Sequence, residues 1–85
     1  MTERAFPTHA FRRIEPARNM ARFYIVSLEP TLFGEIAVVR HWGRIGTHGR
    51  RLSSLHASLE DACAALSAQI ARRRRRGYVP AEGAA

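Results

Sequence analysis

The sequence predicts an α+β fold: a twisted antiparallel β-sheet of four to five strands with one α-helix packed on one face. Two observations carry this. Up to His56 the chain alternates short aromatic and β-branched runs with Pro and Gly breaks, whereas from Ser58 the apolar residues recur at steps of three and four. Strands followed by a single long helix define the class, and 85 residues suffice for one small domain with a thin core.

Taken in order, residues 1–10 are polar and aperiodic, and read as a flexible arm. The domain proper spans 11–79, and 80–85 form a flexible tail. Phe11–Glu15 is a short strand stopped by Pro16, with a turn through Asn19. Arg22–Glu29 (RFYIVSLE) is the clearest strand by composition and breaks at Pro30–Gly34. Glu35–Arg44 (EIAVVRHWGR) follows, with Ile36, Val38, Arg40, Trp42 and Arg44 on one face. Gly46 and Gly49 bracket a turn, and Arg50–His56 returns as the second arm of a hairpin. Ser58 and Asp61 make a capping-box-like helix start, and Leu59, Cys63, Leu66 and Ile70 form its apolar face, flanked by Ala62 and Ala65. The helix ends in Arg72–Arg76 with Gly77 as C-terminal cap, and Tyr78–Val79 adds a short edge strand.

The chain has 14 Arg and no Lys against 7 acidic residues, a net charge of +7. Alongside 14 Ala, the use of Arg for Lys reflects in part a GC-rich genome, but the excess of charge does not. Most of the excess is the run Arg72–Arg76. The second asymmetry is that Ile36–Leu59 contains no Asp or Glu, while it holds Arg40, Arg44, Arg50 and Arg51 with His41, His48 and His56. Two basic clusters on so short a chain point to a polyanion partner.

Other classes are disfavoured. The longest apolar runs, Tyr24–Val26 and Ile36–Val39, are far too short to span a membrane, and the N-terminal stretch has no signal-peptide core, so the expected location is cytoplasmic. A lone Cys63 excludes an internal disulfide and a CxxC site, and the histidine spacing is unlike that of zinc sites. No nucleophile, base and orienting acid are grouped, so the expectation is a non-enzymatic protein with no cofactor and no metal.

His41–Arg50 is the stretch that carries chemistry: the only Trp, three Gly, two Arg and two His within ten residues. Gly43 removes a side chain between Trp42 and Arg44, leaving indole and guanidinium as neighbours on one face. The indole offers a stacking surface for a base or sugar, the guanidinium a fork matched to phosphate oxygens, and the Gly46–Gly49 turn exposed N–H groups. Equally, Trp42 shares a face with Ile36 and Val38, so it also suits a role capping the core with Arg44 packed on it by cation–π contact.

In order and spacing this chain resembles a WGR domain, named for the triplet present as Trp42, Gly43 and Arg44. The resemblance extends from the Asn19–Tyr24 strand through W-G-R-I-G-T-H-G (Trp42–Gly49) and the Ser58–Ala62 helix start to Gly77–Tyr78. It implies a twisted antiparallel sheet flanked by one helix. In DNA-dependent poly(ADP-ribose) polymerases such a module grips DNA at strand breaks. There the motif Trp packs near a 5′ terminus, and the motif Arg links DNA contact to neighbouring domains. It also implies that Asn19 meets a terminal phosphate. Short bacterial WGR proteins are the subgroup this chain resembles most.

The resulting expectation is a DNA-binding module for duplex ends or 5′-phosphorylated breaks. Trp42 and Gly43 shape the stacking surface, Arg44 and Asn19 address the terminal phosphate, and Arg22, Arg40, His48, Arg50 and Arg72, Arg73, Arg74, Arg75 and Arg76 hold the rest. Single-stranded DNA or RNA is a close variant, and an adaptor docking an acidic protein on the Trp-Gly-Arg surface is the alternative of another class.

Overall fold

Strand-forming residues alternate between two faces, and in this chain the pairing register decides which side chains meet. The computed structural model describes Phe6 and residues 8–81. Its elements are β1 (Thr8–Glu15), a 3-10 turn (Pro16–Arg18), β2 (Met20–Pro30), β3 (Ile36–Arg44), β4 (Arg50–His56), α1 (Leu59–Arg75) and β5 (Val79–Pro80). The strands form one five-stranded sheet in the order β4-β3-β2-β1-β5, every pair antiparallel. This is the α+β architecture expected, with α1 on one face.

On the helix-facing side, Phe11, Tyr24, Val26, Leu28 and Val38 pack with Ala62 and Tyr78 into the core, and Trp42, Leu66 and Ile70 close its margins. Tyr24, Val26 and Ala62 are fully buried. The helix turns differently from the expected apolar face. Ala62 sits at the centre of the contact and Cys63 is exposed. An alanine lets the helix approach a sheet surface already filled by two tyrosines, whereas Leu59 lies at the open first turn, 41% exposed. The start is as read: Ser58 Oγ accepts from the Asp61 N–H at 3.1 Å, a cap worth about 1 kcal/mol.

Several boundaries move: β2 runs from Met20 to Pro30 where Arg22–Glu29 was expected, and β3 starts at Ile36 and not at Glu35. β1 begins at Thr8, because Thr8, His9 and Ala10 pair with Ser27, Val26 and Ile25, so these residues are strand and not arm. β5 is Val79–Pro80, one residue later than expected, and Ala81 N–H donates to the Ala10 carbonyl, so pairing continues into the expected tail. Residues 1–5, 7 and 82–85 of the expected arm and tail lie outside the described residues. The turn between helix and β5 is closed by Gly77 (φ +92°), with Gly77 N–H on the Arg74 carbonyl and Tyr78 N–H on that of Arg73. This is the paired hydrogen-bond pattern of a glycine-terminated helix.

Gly43 and Gly49 act differently from the expectation that Gly43 merely spaces Trp42 from Arg44. A Cβ on Gly43 would lie 2.7 Å from Gly49 Cα, and one on Gly49 would overlap the Trp42 carbonyl oxygen and the Phe23 ring. The two glycines let the hairpin backbones close over Phe23. Gly34 provides the comparison, since it has a similar positive φ of +87° and open space around it. Gly34→Ala should therefore cost only the left-handed strain, about 1–2 kcal/mol. Gly49→Ala adds a backbone overlap and should cost about 3 kcal/mol or more. Urea unfolding of both variants measures the difference.

Candidate nucleic-acid interface

The β1–β2–β3 register stacks residues in rows on the helix-facing side. One row is Phe11–Tyr24–Trp42, extended by Arg50 on β4. The next row toward the β3–β4 turn is Arg13–Arg22–Arg44, three guanidinium-bearing residues directly opposite one another. Arg13 is neutralised by Glu15 (Nη2–Oε2 2.6 Å), but Arg22 and Arg44 have no carboxylate partner among the described residues. Like charges opposite each other in a sheet disfavour the bare state, so an anion placed here relieves repulsion.

Arg44 is fixed by Asn19, a contact that neither the residues nor the resemblance had implied. Its Nη1 donates to the Asn19 carbonyl at 2.9 Å and its Nη2 to Asn19 Oδ1 at 3.2 Å. Asn19 can present both oxygens because it closes the 3-10 turn in the left-handed conformation (φ 53°, ψ 41°), which asparagine tolerates. Beyond Arg44 the chain turns with Thr47 N–H on the Arg44 carbonyl. Gly46 (φ +96°) occupies the place in that turn that requires positive φ.

The helix end supplies the opposite wall. The Arg73 guanidinium lies 4.3 Å from the Tyr24 ring centroid and 5.6 Å from that of Tyr78, and its Nε is buried with no hydrogen-bond partner among the described residues. Tyr24 Oη donates to Gln69 Oε1 at 3.3 Å, tying the preceding helix turn to the sheet. Between these walls opens a cleft of about 470 Å³. Its floor is Met20, Trp42, Gly43 and Tyr78, and its rim carries Arg18, Asn19, Arg22, Arg44 and Arg73, with no Asp or Glu among the lining residues.

The structure thus brings together Asn19, Arg22, Trp42, Gly43, Arg44 and Arg73, and adds Arg18, Met20 and Tyr78, which the sequence reading did not single out. Arg18 follows Pro16 in a turn with no strand or helix period, and Tyr78 read only as an edge residue. The other expected residues lie elsewhere. Arg40 stacks on Trp42 at 5.6 Å, taking the cation–π place expected of Arg44. His48 is exposed on the turn, its carbonyl accepting from His41 Nε2, and Arg50 is exposed on β4. Arg72, Arg75 and Arg76 face solvent, while Arg74 lines a separate groove beside His9 and Ile70. The arginine run is therefore divided by the helical period, one member turned inward.

Fold and cleft define a small basic α+β module with an arginine-rimmed aromatic recess. The chain belongs to the WGR domain family, whose pattern matches residues 8–85. WGR domains are nucleic-acid-binding modules in poly(ADP-ribose) polymerase-like proteins. The chain is 46% identical over 68 residues to the uncharacterized protein y4dW of Sinorhizobium fredii, covering 80% of this chain and 33% of that protein. It thus spans about a third of the length of this relative. A crystal structure of a Bacteroides fragilis protein superposes with a TM-score of 0.75 at 20% identity, over 87% of this chain and 19% of the other. That likeness establishes the fold. No helix among the described residues is long and apolar enough to cross a membrane.

The Asn19–Arg44 link is testable by substitution. Asn19→Gly keeps the left-handed backbone and removes only the side-chain acceptor, so stability should change little. Asn19→Ala adds left-handed strain and should be less stable than the glycine variant by about 1 kcal/mol, read from thermal or urea denaturation.

Proposed function

We propose that this protein is a non-catalytic DNA-binding module that recognises duplex ends, preferring a 5′-phosphorylated terminus. The carrying observation is the cleft itself, where Trp42 and Tyr78 offer aromatic surface inside a rim of four arginines with no lining carboxylate. In this reading the terminal nucleotide lies against Trp42, and its phosphate meets the row of Arg22 and Arg44 together with Asn19. Arg73, which lines the cleft from the helix, adds its guanidinium charge beside the same anion. Arg40, Arg50 and the exposed arginines of the helix end hold backbone phosphates without reading sequence. A terminal phosphate monoester carries more charge than a bridging diester, so a rim of guanidinium groups favours an end over continuous duplex.

Fluorescence anisotropy with three ligands tests this: a blunt duplex with 5′ phosphate, the same duplex without it, and a hairpin-closed duplex. Binding should weaken in that order. With about four to six phosphates neutralised, the log–log salt slope should be about −4 to −5. Trp42→Ala should lose about 1–3 kcal/mol of affinity, and Arg44→Ala should erase the preference for the phosphorylated end. Equal affinity for open and closed duplex overturns end recognition. Absence of binding at low salt overturns nucleic-acid binding and leaves an acidic protein as the occupant of the same surface.

A further inference from the structure

The far end of the molecule carries a feature that nucleic-acid binding does not use. Leu32 and Phe33, adjacent in the β2–β3 turn, are 95% and 87% exposed, the highest values among the exposed large hydrophobic residues. The turn that presents them is well tied. Thr31 N–H and Oγ1 both donate to the Glu35 carbonyl (2.9 and 3.1 Å), Phe33 N–H donates to Thr31 Oγ1 at 3.3 Å, and Gly34 takes φ +87°. Carboxylates lie at this end of the molecule. Glu29 and Glu35 flank the turn, and because His56 pairs with Ile36, the helix start with Glu60 and Asp61 comes to the same end. Glu29 meets Arg51 at 3.6 Å, while Glu35, Glu60 and Asp61 have no ion-pair partner among the described residues. An apolar knob so flanked repels a phosphate backbone, so it is not a wedge for DNA.

Its complement lies on the same chain, at the other pole: an aromatic floor of Trp42 and Tyr78 rimmed by Arg22, Arg44 and Arg73. The cleft, at about 470 Å³, exceeds the roughly 150 Å³ that encloses a benzene ring. A molecule cannot fill its own cleft, because the 11 residues of β2 separate the two poles by about 33 Å. We propose that the Leu32–Phe33 turn of one copy docks in the arginine-rimmed cleft of a second copy. The rings stack in the recess and Glu35 faces the rim arginines. The contact is head-to-tail, so it repeats into open chains unless a ligand occupies the cleft.

Sedimentation velocity over a concentration series at low salt tests this with the whole chain. Wild type should grow in average mass with concentration, past a dimer, and should dissociate as salt rises. Leu32→Ser with Phe33→Ser, both at exposed positions, should weaken association by about tenfold or more and leave the circular dichroism spectrum unchanged. Arg22→Glu with Arg44→Glu should do the same from the cleft side. Mixed together, the tip variant and the cleft variant each retain one intact surface, so they should form a 1:1 complex that stops there. A wild type that stays monomeric throughout overturns the proposal. So does association that survives the tip substitutions, or a mixture that fails to pair.

Discussion

Tyr24 is where the sheet, the helix and the cleft meet, and the remaining geometry depends on its burial. Its ring has no exposure, lies edge-on to Tyr78 with centroids 6.3 Å apart, and carries the Arg73 guanidinium at 4.3 Å. Its hydroxyl reaches Gln69 on the helix turn before Arg73. One side chain therefore sets the distance between helix and sheet and supports the floor beneath the arginines. The aromatic corner also explains why an arginine can be held inward at a helix end. Stacking offsets the removal of a weakly hydrated guanidinium from water, which an ammonium would resist more strongly.

The second constraint is register. With Phe11, Tyr24 and Trp42 aligned in one row, the next alternate positions must be Arg13, Arg22 and Arg44. A slip of one residue would send these arginines to the other face. Burial of the aromatic row thus enforces a like-charge row that the bare sheet would avoid. The Asn19 oxygens and the Glu15 carboxylate hold two of its members from either end. Arg22, between them, keeps its charge uncompensated among the described residues and is the natural first contact for an anion.

Much of this was legible in the chain. The composition of Arg22–Glu29 and Glu35–Arg44 marks both strands, and the face shared by Trp42 and Arg44 follows from alternation. Arg50–His56 was bounded as the structure has it, between Gly49 and the helix cap at Ser58. What escaped was long-range. Nothing local tells that Thr8–Ala10 lies in a strand, because those residues are ordered by partners on β2. Cys63 was placed on the buried face by its spacing from Leu59 and Leu66. That pattern fixes an angular face only to within one residue, and the small side chain of Ala62 wins the closest contact. Five consecutive arginines look equivalent in a list of letters, whereas the helix separates Arg73 from the rest. Arg18 and Tyr78 reach the cleft from a turn and a helix cap, where no periodicity announces direction. The resemblance to WGR domains supplied Asn19, which residue type alone would have left as a turn former.

The glycine cap at Gly77 has a consequence for how securely the cleft is closed. β1 to β4 pair with their neighbours in sequence, so that meander needs only short loops to close. β5 instead joins β1 from the other end of the chain, the strand pairing of highest contact order among the described strands, and the helix with its turn at Gly77 is what carries the chain there. Arg73 and Tyr78 stand on either side of that turn. The cleft is therefore completed by a segment held through a two-residue strand pairing, and a local opening of residues 77–81 would dismantle it while the meander stayed folded.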